Sequence, residues 1–275
     1  MSQIKKALER AKAERLSLVN LRETGRETGE QKPEASEKSE EPIHYTRTRV
    51  VDVPVEQLLK RKLVVLEERN PLSDQFKRLR TRLFRETRPR KWNIIQVSGF
   101  GPAEGKTLVA VNLAISIAQE TRQTTLLVDL DFRRPSIGRL LGLSPEIPGL
   151  KSYFFDGVPL KDLFVNPGIA RLTVLTAGGH VSHSTELVGS PKMEKLLKEL
   201  KHRYDDRYVI LDTPGVGVCS DPLVIAEYVD GILLVARLDH TSQKTIKAVM
   251  AHIPREKILG VVLNDASPKE IVSYY

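Results

Sequence analysis

The sequence predicts an α/β fold, with a mostly parallel central sheet flanked by helices on both faces. Three observations carry that reading. Strand-like and helix-like runs alternate along most of the chain. The strand-like runs are short and continuously apolar rather than alternating, as expected of strands buried on both faces. And the stretch VSGFGPAEGKTLVAVNLA, Val97 to Ala114, joins a strand to a helix through a glycine-rich loop.

Residues 1–22 place Ile4, Ala7, Leu8, Ala11 and Leu16 at roughly helical spacing on a charged background, which predicts a charged N-terminal helix. Such a helix is marginal in water without a surface to pack on. Residues 23–42 hold Glu, Gly, Lys and Ser but no large apolar side chain, the composition of a disordered linker. The globular part is expected over 43–270, with a short tail, 271–275. Within it, Asn93–Ser98 reads as a strand and Lys106–Gln119 as a helix. Strands follow at Thr124–Asp129 and Arg171–Gly178, then a helix at Ser190–Tyr204. Arg207–Pro214, Gly231–Leu238 and Lys257–Asn264 complete the set. Right-handed crossovers bring the C-terminal ends of such strands to one edge, where ligands bind.

The 275 residues are 40% hydrophobic and carry a net charge of +8, enough apolar material for a core and compatible with anionic partners. A single cysteine, Cys219, excludes an internal disulfide and fits a reducing compartment. The N-terminus lacks a signal-peptide pattern, and no apolar run nears the ~20 residues of a membrane span, so a cytoplasmic protein is expected. The run Lys77 to Trp92 sets Lys77, Arg78, Arg80, Arg82, Arg85, Arg88, Arg90 and Lys91 against Glu86. With only Phe84 and Trp92 as aromatics, it reads as a solvated helix face or subunit interface, and nucleic-acid binding is not expected.

The loop approximates G-x-x-x-x-G-K-[ST]. Glycines let backbone N–H groups wrap a phosphate, the lysine meets the terminal phosphates, and the hydroxyl serves magnesium. Gly105, Lys106 and Thr107 are in place between strand and helix, while Phe100 stands where the first glycine is expected. Gly101, Pro102, Ala103, Glu104, Gly105, Lys106, Thr107 and Leu108 are the nucleotide-binding candidates of a P-loop NTPase. In LLVDLDFRRPS, Asp129 and Asp131 share one side of a strand end, a pair suited to magnesium and general-base work; a solvated Asp/Arg turn is the plainer alternative. Asp212, after the apolar YVIL, occupies a Walker B metal position.

Together these residues resemble the bacterial protein-tyrosine kinases associated with polysaccharide co-polymerases. The resemblance spans Asn70 to Asn264 and includes the Gly105-Lys106-Thr107 loop end, a DxDxR motif met by Asp129, Asp131 and Arg133, and Asp212. SDQFKRLRTRL, the stretch ELVGSPKMEKLLKELKHRYDDRYVILDTP and VDGILLVARLDHT belong to it too. The N-terminal helix and linker resemble the branch encoded with exosortase-type exopolysaccharide loci. The resemblance implies ATP and Mg²⁺ as cofactors, with Lys106 on the β- and γ-phosphates and Thr107 on the metal. Asp129 and Asp131 would hold metal-bound water and accept the tyrosine proton, and Asp212 would complete the metal shell. The family's E-x-x-R-x-x-R ring motif is met by Asp74, Lys77 and Arg80, of which only Arg80 matches outright; Arg and Lys are not equivalent at such a contact.

The resemblance also implies phosphoacceptor tyrosines at the C-terminus, here Tyr274 and Tyr275, and a cyclic homo-oligomer. Implied partners are a membrane-embedded co-polymerase whose activator tail holds the kinase at the inner face of the plasma membrane, other cytoplasmic substrates and a counteracting tyrosine phosphatase. Two alternatives stand beside the kinase. Partition and division-site switch ATPases carry a second lysine where this chain has Gly101. A catalytically weak nucleotide-binding adaptor is suggested by Phe100 and Ala103.

Overall fold

The computed structural model describes residues 48–67, 69–202 and 207–266. The expected N-terminal helix and linker, and the tail with Tyr274 and Tyr275, lie outside the described residues. The chain divides between Pro42 and Ile43, and the fold below belongs to the second part.

The strands are β1 (Arg49–Val50), β2 (Ile94–Gly99), β3 (Thr124–Asp129), β4 (Val165–Asn166), β5 (Leu172–Leu175), β6 (Arg207–Asp212), β7 (Gly231–Arg237) and β8 (Ile258–Asn264). The helices are α1 (Val55–Lys60), α2 (Pro71–Thr87), α3 (Lys106–Ala118), α4 (Ile137–Leu140), α5 (Leu150–Phe155), α6 (Ser184–Val188), α7 (Pro191–His202), α8 (Asp221–Ala226) and α9 (Gln243–Met250). Six strands fall where continuous apolar runs predict them. The two-residue β1 and β4 are too short to show any period and were not expected.

Among the described residues the sheet runs β1-β4-β5-β3-β6-β2-β7-β8. Every pairing is parallel except β4 with β5. Two apolar cores, one on each face, explain the continuous runs. Along β2, β3 and β6 successive side chains alternate sides: Ile95, Leu127 and Ile210 enter the first core with α3, and Ile94, Leu126 and Val209 enter the second with Met193, Leu196 and Leu197 of α7. Helix α3 is buried from Val109 to Ala118, with Asn112 and Ser116 as its polar members, so it is packed on all sides. Helix α2 opens with Asn70, whose side chain accepts the Leu72 N–H, and Pro71 at its first position, a strong start signal.

The chain leaves β2 for β3, and β6 later inserts between them. The C-terminal ends of β3, β6 and β2 therefore lie side by side, the arrangement that opens a ligand crevice in such sheets. At the far edge, β8 keeps Val261 and Leu263 about half exposed.

Candidate active site

The loop from Gly99 to Thr107 caps β2 and leads into α3. Gly105 takes φ +84° and Ala103, unusually for a residue with a side chain, +57°. No side chain caps the N-terminus of α3, so its free N–H groups and dipole face the loop, an anion site by construction. Lys106 Nζ donates to the Gly101 carbonyl at 2.8 Å. Phe100 is fully buried in the second core, so the side chain that breaks the glycine pattern has become core. The loop's back is packed main chain on main chain: a Cβ at Gly215 would lie 2.8 Å from the Gly101 oxygen.

Glu104 behaves unlike the loop residue expected to line a nucleotide. Its carboxylate is buried. One oxygen accepts the Phe100 and Gly101 N–H groups, each at 2.8 Å, and the other accepts the Thr241 hydroxyl at 2.7 Å. Its main-chain carbonyl accepts the Asn264 side-chain amide at 2.9 Å.

Asp129 and Asp212 end neighbouring strands and are register partners. Asp129 Oδ2 accepts the Ser136 and Ile137 N–H groups, and Oδ1 the Asp131 N–H. Burial outweighs these bonds and, with the Asp131 charge adding to it, pushes Asp129 up to about 7. Asp212 is fully buried, and among the described residues neither carboxylate oxygen has a well-formed hydrogen bond, although the Thr107 hydroxyl stands close enough to ease its charge. Burial first, then the Asp129 charge, hold it well above the usual carboxylate range, with the Thr107 hydroxyl and Lys106 working the other way. An unpartnered buried carboxylate beside a second one calls for a cation. Thr107 accepts from the Ser136 hydroxyl at 3.2 Å, which ties it to the same loop. Hard oxygen donors of this kind fit Mg²⁺, which is held by one or two carboxylates together with phosphate oxygens and water; among the described residues no cluster of three His, Cys, Asp or Glu forms a closed metal cage. Asp131, half-buried, accepts the Arg134 N–H.

Arg133, the last residue of the DxDxR motif, turns to a cluster that sequence reasoning missed. Its Nε lies 3.4 Å from Asp221 Oδ2 and a terminal nitrogen donates to Thr185 at 2.9 Å. Asp221 also accepts from the Ser184 and Thr185 hydroxyls. Burial opposes its ionisation, yet the bonds from Thr185, Ser184 and Arg133 hold its pKa below the ordinary value. Nearby Cys219 has its thiol pushed up by burial and by Asp221, the opposite of an activated thiolate.

The three ring-motif positions do not act alike. Lys77 pairs with Asp74 at 3.1 Å on the surface of α2. Arg80 turns inward instead, donating to the Ser116 carbonyl at 2.6 Å and lying 3.9 Å from Glu120. In the basic run, Arg88 stacks on Phe84 and Arg90 on Trp92, so both aromatics are covered.

No family model matches the chain. Among curated proteins, it is 28% identical over 209 residues to the tyrosine-protein kinase YwqD of Bacillus subtilis, covering 75% of this chain and 86% of that one. It is 29% identical over 175 residues to the tyrosine-protein kinase ptk of Acinetobacter johnsonii, 63% of this chain but 23% of that protein. It is 28% identical over 186 residues to the succinoglycan biosynthesis transport protein ExoP of Rhizobium meliloti, again 66% against 23%. The chain thus spans under a quarter of those two relatives. Among solved structures, the kinase domain of Escherichia coli tyrosine kinase ETK superposes with a TM-score of 0.68 at 29% identity, covering 82% of this chain and 86% of that one. The septum site-determining protein MinD of Pyrococcus horikoshii, complexed with Mg-ADP, reaches a TM-score of 0.51 at 21% identity over 65% and 73%, a likeness of fold alone. In sequence and in fold, the chain is a homologue of the bacterial protein-tyrosine kinases built on the P-loop NTPase sheet.

Proposed function

We propose that this protein is an ATP-dependent protein-tyrosine kinase that phosphorylates its own C-terminal tyrosines and serves exopolysaccharide assembly. The observation that supports it best is the convergence of Lys106, Thr107, Asp129, Asp131 and Asp212 at the ends of three adjacent strands, in a chain whose relatives are named tyrosine kinases.

The loop's N–H groups and Lys106 bind and orient the phosphates. Thr107, Asp129 and Asp212 would hold Mg²⁺, which would supply neutralisation of phosphate charge and polarisation of the transferred group. Asp131, the less buried of the strand-end pair, accepts the proton of an incoming tyrosine hydroxyl. Asp129 positions it: the Asp131 N–H is donated to Asp129, and the Ser136 and Ile137 N–H groups fix that carboxylate in turn. The switch-ATPase reading has no residue to rest on, because Gly101 stands at the second lysine's position.

ExoP's name as a transport protein of polysaccharide biosynthesis supports a membrane co-polymerase as partner, and attachment to the inner face of the membrane through it. No helix among the described residues is long and apolar enough to cross a membrane itself. The test is incubation with ATP·Mg²⁺, with and without a candidate activator tail, followed by mass spectrometry of the C-terminal peptide. Phosphate on Tyr274 or Tyr275 is expected; nucleotide hydrolysis without any phosphotyrosine would favour the adaptor or switch instead.

A further inference from the structure

Glu104 closes a circuit that the phosphoryl-transfer chemistry does not require. Its carboxylate holds the N–H groups of Phe100 and Gly101 from behind the loop. Gly101 is thereby clamped on both sides, since its carbonyl accepts Lys106. The other carboxylate oxygen takes the Thr241 hydroxyl, which itself accepts the Arg237 N–H at 2.9 Å. The Arg237 guanidinium pairs with Asp265 at 2.7 Å. Asp265 follows Asn264, whose amide returns to the Glu104 carbonyl. Asp265 stands in the left-handed region at φ +62°, so the chain turns there as it leaves β8.

From this circuit we propose that Glu104 is a positioning residue: it braces the phosphate loop against the root of the chain's own C-terminal segment. The inference rests on the nucleotide-site reading above. Three groups of charge or hydrogen-bonding power converge on one buried carboxylate, and a buried carboxylate with all its bonds made is a rigid element. A loop whose first glycine is replaced by Phe100 needs such a tie, because it cannot rely on glycine geometry at that position. Coupling through the brace is reciprocal: whatever reshapes the loop biases the tail root, and the reverse by the same factor. Glu104 also brings a carboxylate into the phosphate loop itself, so the brace opposes the binding of an anion by charge while favouring it by shape.

These two effects separate with three substitutions. Glu104→Gln keeps the geometry: its oxygen can accept both N–H groups while its amide donates to Thr241. Glu104→Ala loses all three carboxylate bonds while keeping the main-chain carbonyl that accepts the Asn264 amide, and Thr241→Val removes one strut only. Affinity for a fluorescent ATP analogue, measured directly on the full chain with Mg²⁺, is expected to fall about tenfold in Glu104→Ala, to fall about threefold in Thr241→Val, and to be kept or improved in Glu104→Gln. Amide exchange at Asn264 and Asp265 should slow on nucleotide binding in wild type and in Glu104→Gln, but not in Glu104→Ala. Melting curves exclude simple unfolding. Equal affinity in all four proteins, or nucleotide-linked protection at Asp265 that survives Glu104→Ala, overturns the brace. A wild-type chain that binds no nucleotide overturns the site reading instead, and the two failures are therefore distinct.

Discussion

Asp129 and Asp212 stand opposite each other on β3 and β6, two buried carboxylates on adjacent strands, with Asp212 lacking a well-formed hydrogen bond among the described residues. In the absence of a cation this pair is a standing cost to the fold, and its removal should show it. Asp212→Asn is expected to stabilise the metal-free protein at alkaline pH, by on the order of 1–3 kcal/mol, while abolishing phosphoryl transfer. Thermal unfolding in chelator, set beside a kinase assay, checks both halves. A destabilised and still active variant would remove Asp212 from the site.

The same pair sets a pH dependence. Asp129 is raised to about 7 and Asp212 also upward, so the folded state holds protons that the unfolded chain releases from about pH 4. Stability from this pair is present at low pH and lost as pH climbs towards about 7 and beyond. The gap between wild type and Asp212→Asn should therefore widen from pH 5 to pH 9 without metal, and narrow when Mg²⁺ and nucleotide are added. A constant gap across that range contradicts the burial of the pair.

Lys106→Met should cut both nucleotide turnover and tyrosine phosphate by at least about a hundredfold, the scale of losing one electrostatic group that meets the transferred phosphate. Among the described residues its ammonium donates to a loop carbonyl, so the melting temperature should barely move. Wild-type turnover in this variant is incompatible with the loop assignment.

Asp131→Asn should lower kcat by about 10²-fold or more with the KM for ATP little changed. Asp129→Asn is the less clean experiment, because Asp129 also holds the Ser136 and Ile137 N–H groups and the loop will loosen with it. Loss of ATP binding in a folded Asp131→Asn protein would mean that Asp131 serves the nucleotide rather than the acceptor.

The ring motif predicts a split. Arg80→Ala should destabilise the isolated subunit by about 1–2 kcal/mol, because it strips the Ser116 carbonyl of a charged donor. Asp74→Ala and Lys77→Ala, on the surface, should change stability by under about 0.5 kcal/mol but reduce the oligomer mass seen by sedimentation. Oligomers unaffected by either surface change would move the subunit contact elsewhere. Transfer between subunits is read by mixing a Lys106→Met chain with an active chain truncated before Tyr274: phosphate is expected on the inactive chain, and its absence there alongside self-labelling of full-length enzyme means transfer within one chain.

How much of this could be read from residues alone follows distance along the chain. Six of the eight strands, the glycine-rich loop and the positions of the carboxylates at or just past strand ends are local patterns, and their places in the fold were legible. That Asp129 and Asp212 face each other was not, because strand order is decided by crossovers spanning 83 residues between those positions. Motif spacing says nothing of side-chain direction, so Glu104 passed for a phosphate neighbour and Arg80 for a surface contact. The Arg133–Asp221–Thr185–Ser184 cluster draws on three separate segments, and no short pattern marks it; the one available signal was an aspartate opening a helix at Asp221.

The outer strand has a practical consequence. Val261 and Leu263 lie on the edge strand of the sheet formed by the described residues, half open to water, and an apolar edge strand invites the same strand of another molecule. In concentrated preparations this is the place where clumping should begin. A lysine gatekeeper, Val261→Lys, would discourage it through charge repulsion, and it leaves the phosphate loop and its carboxylates untouched.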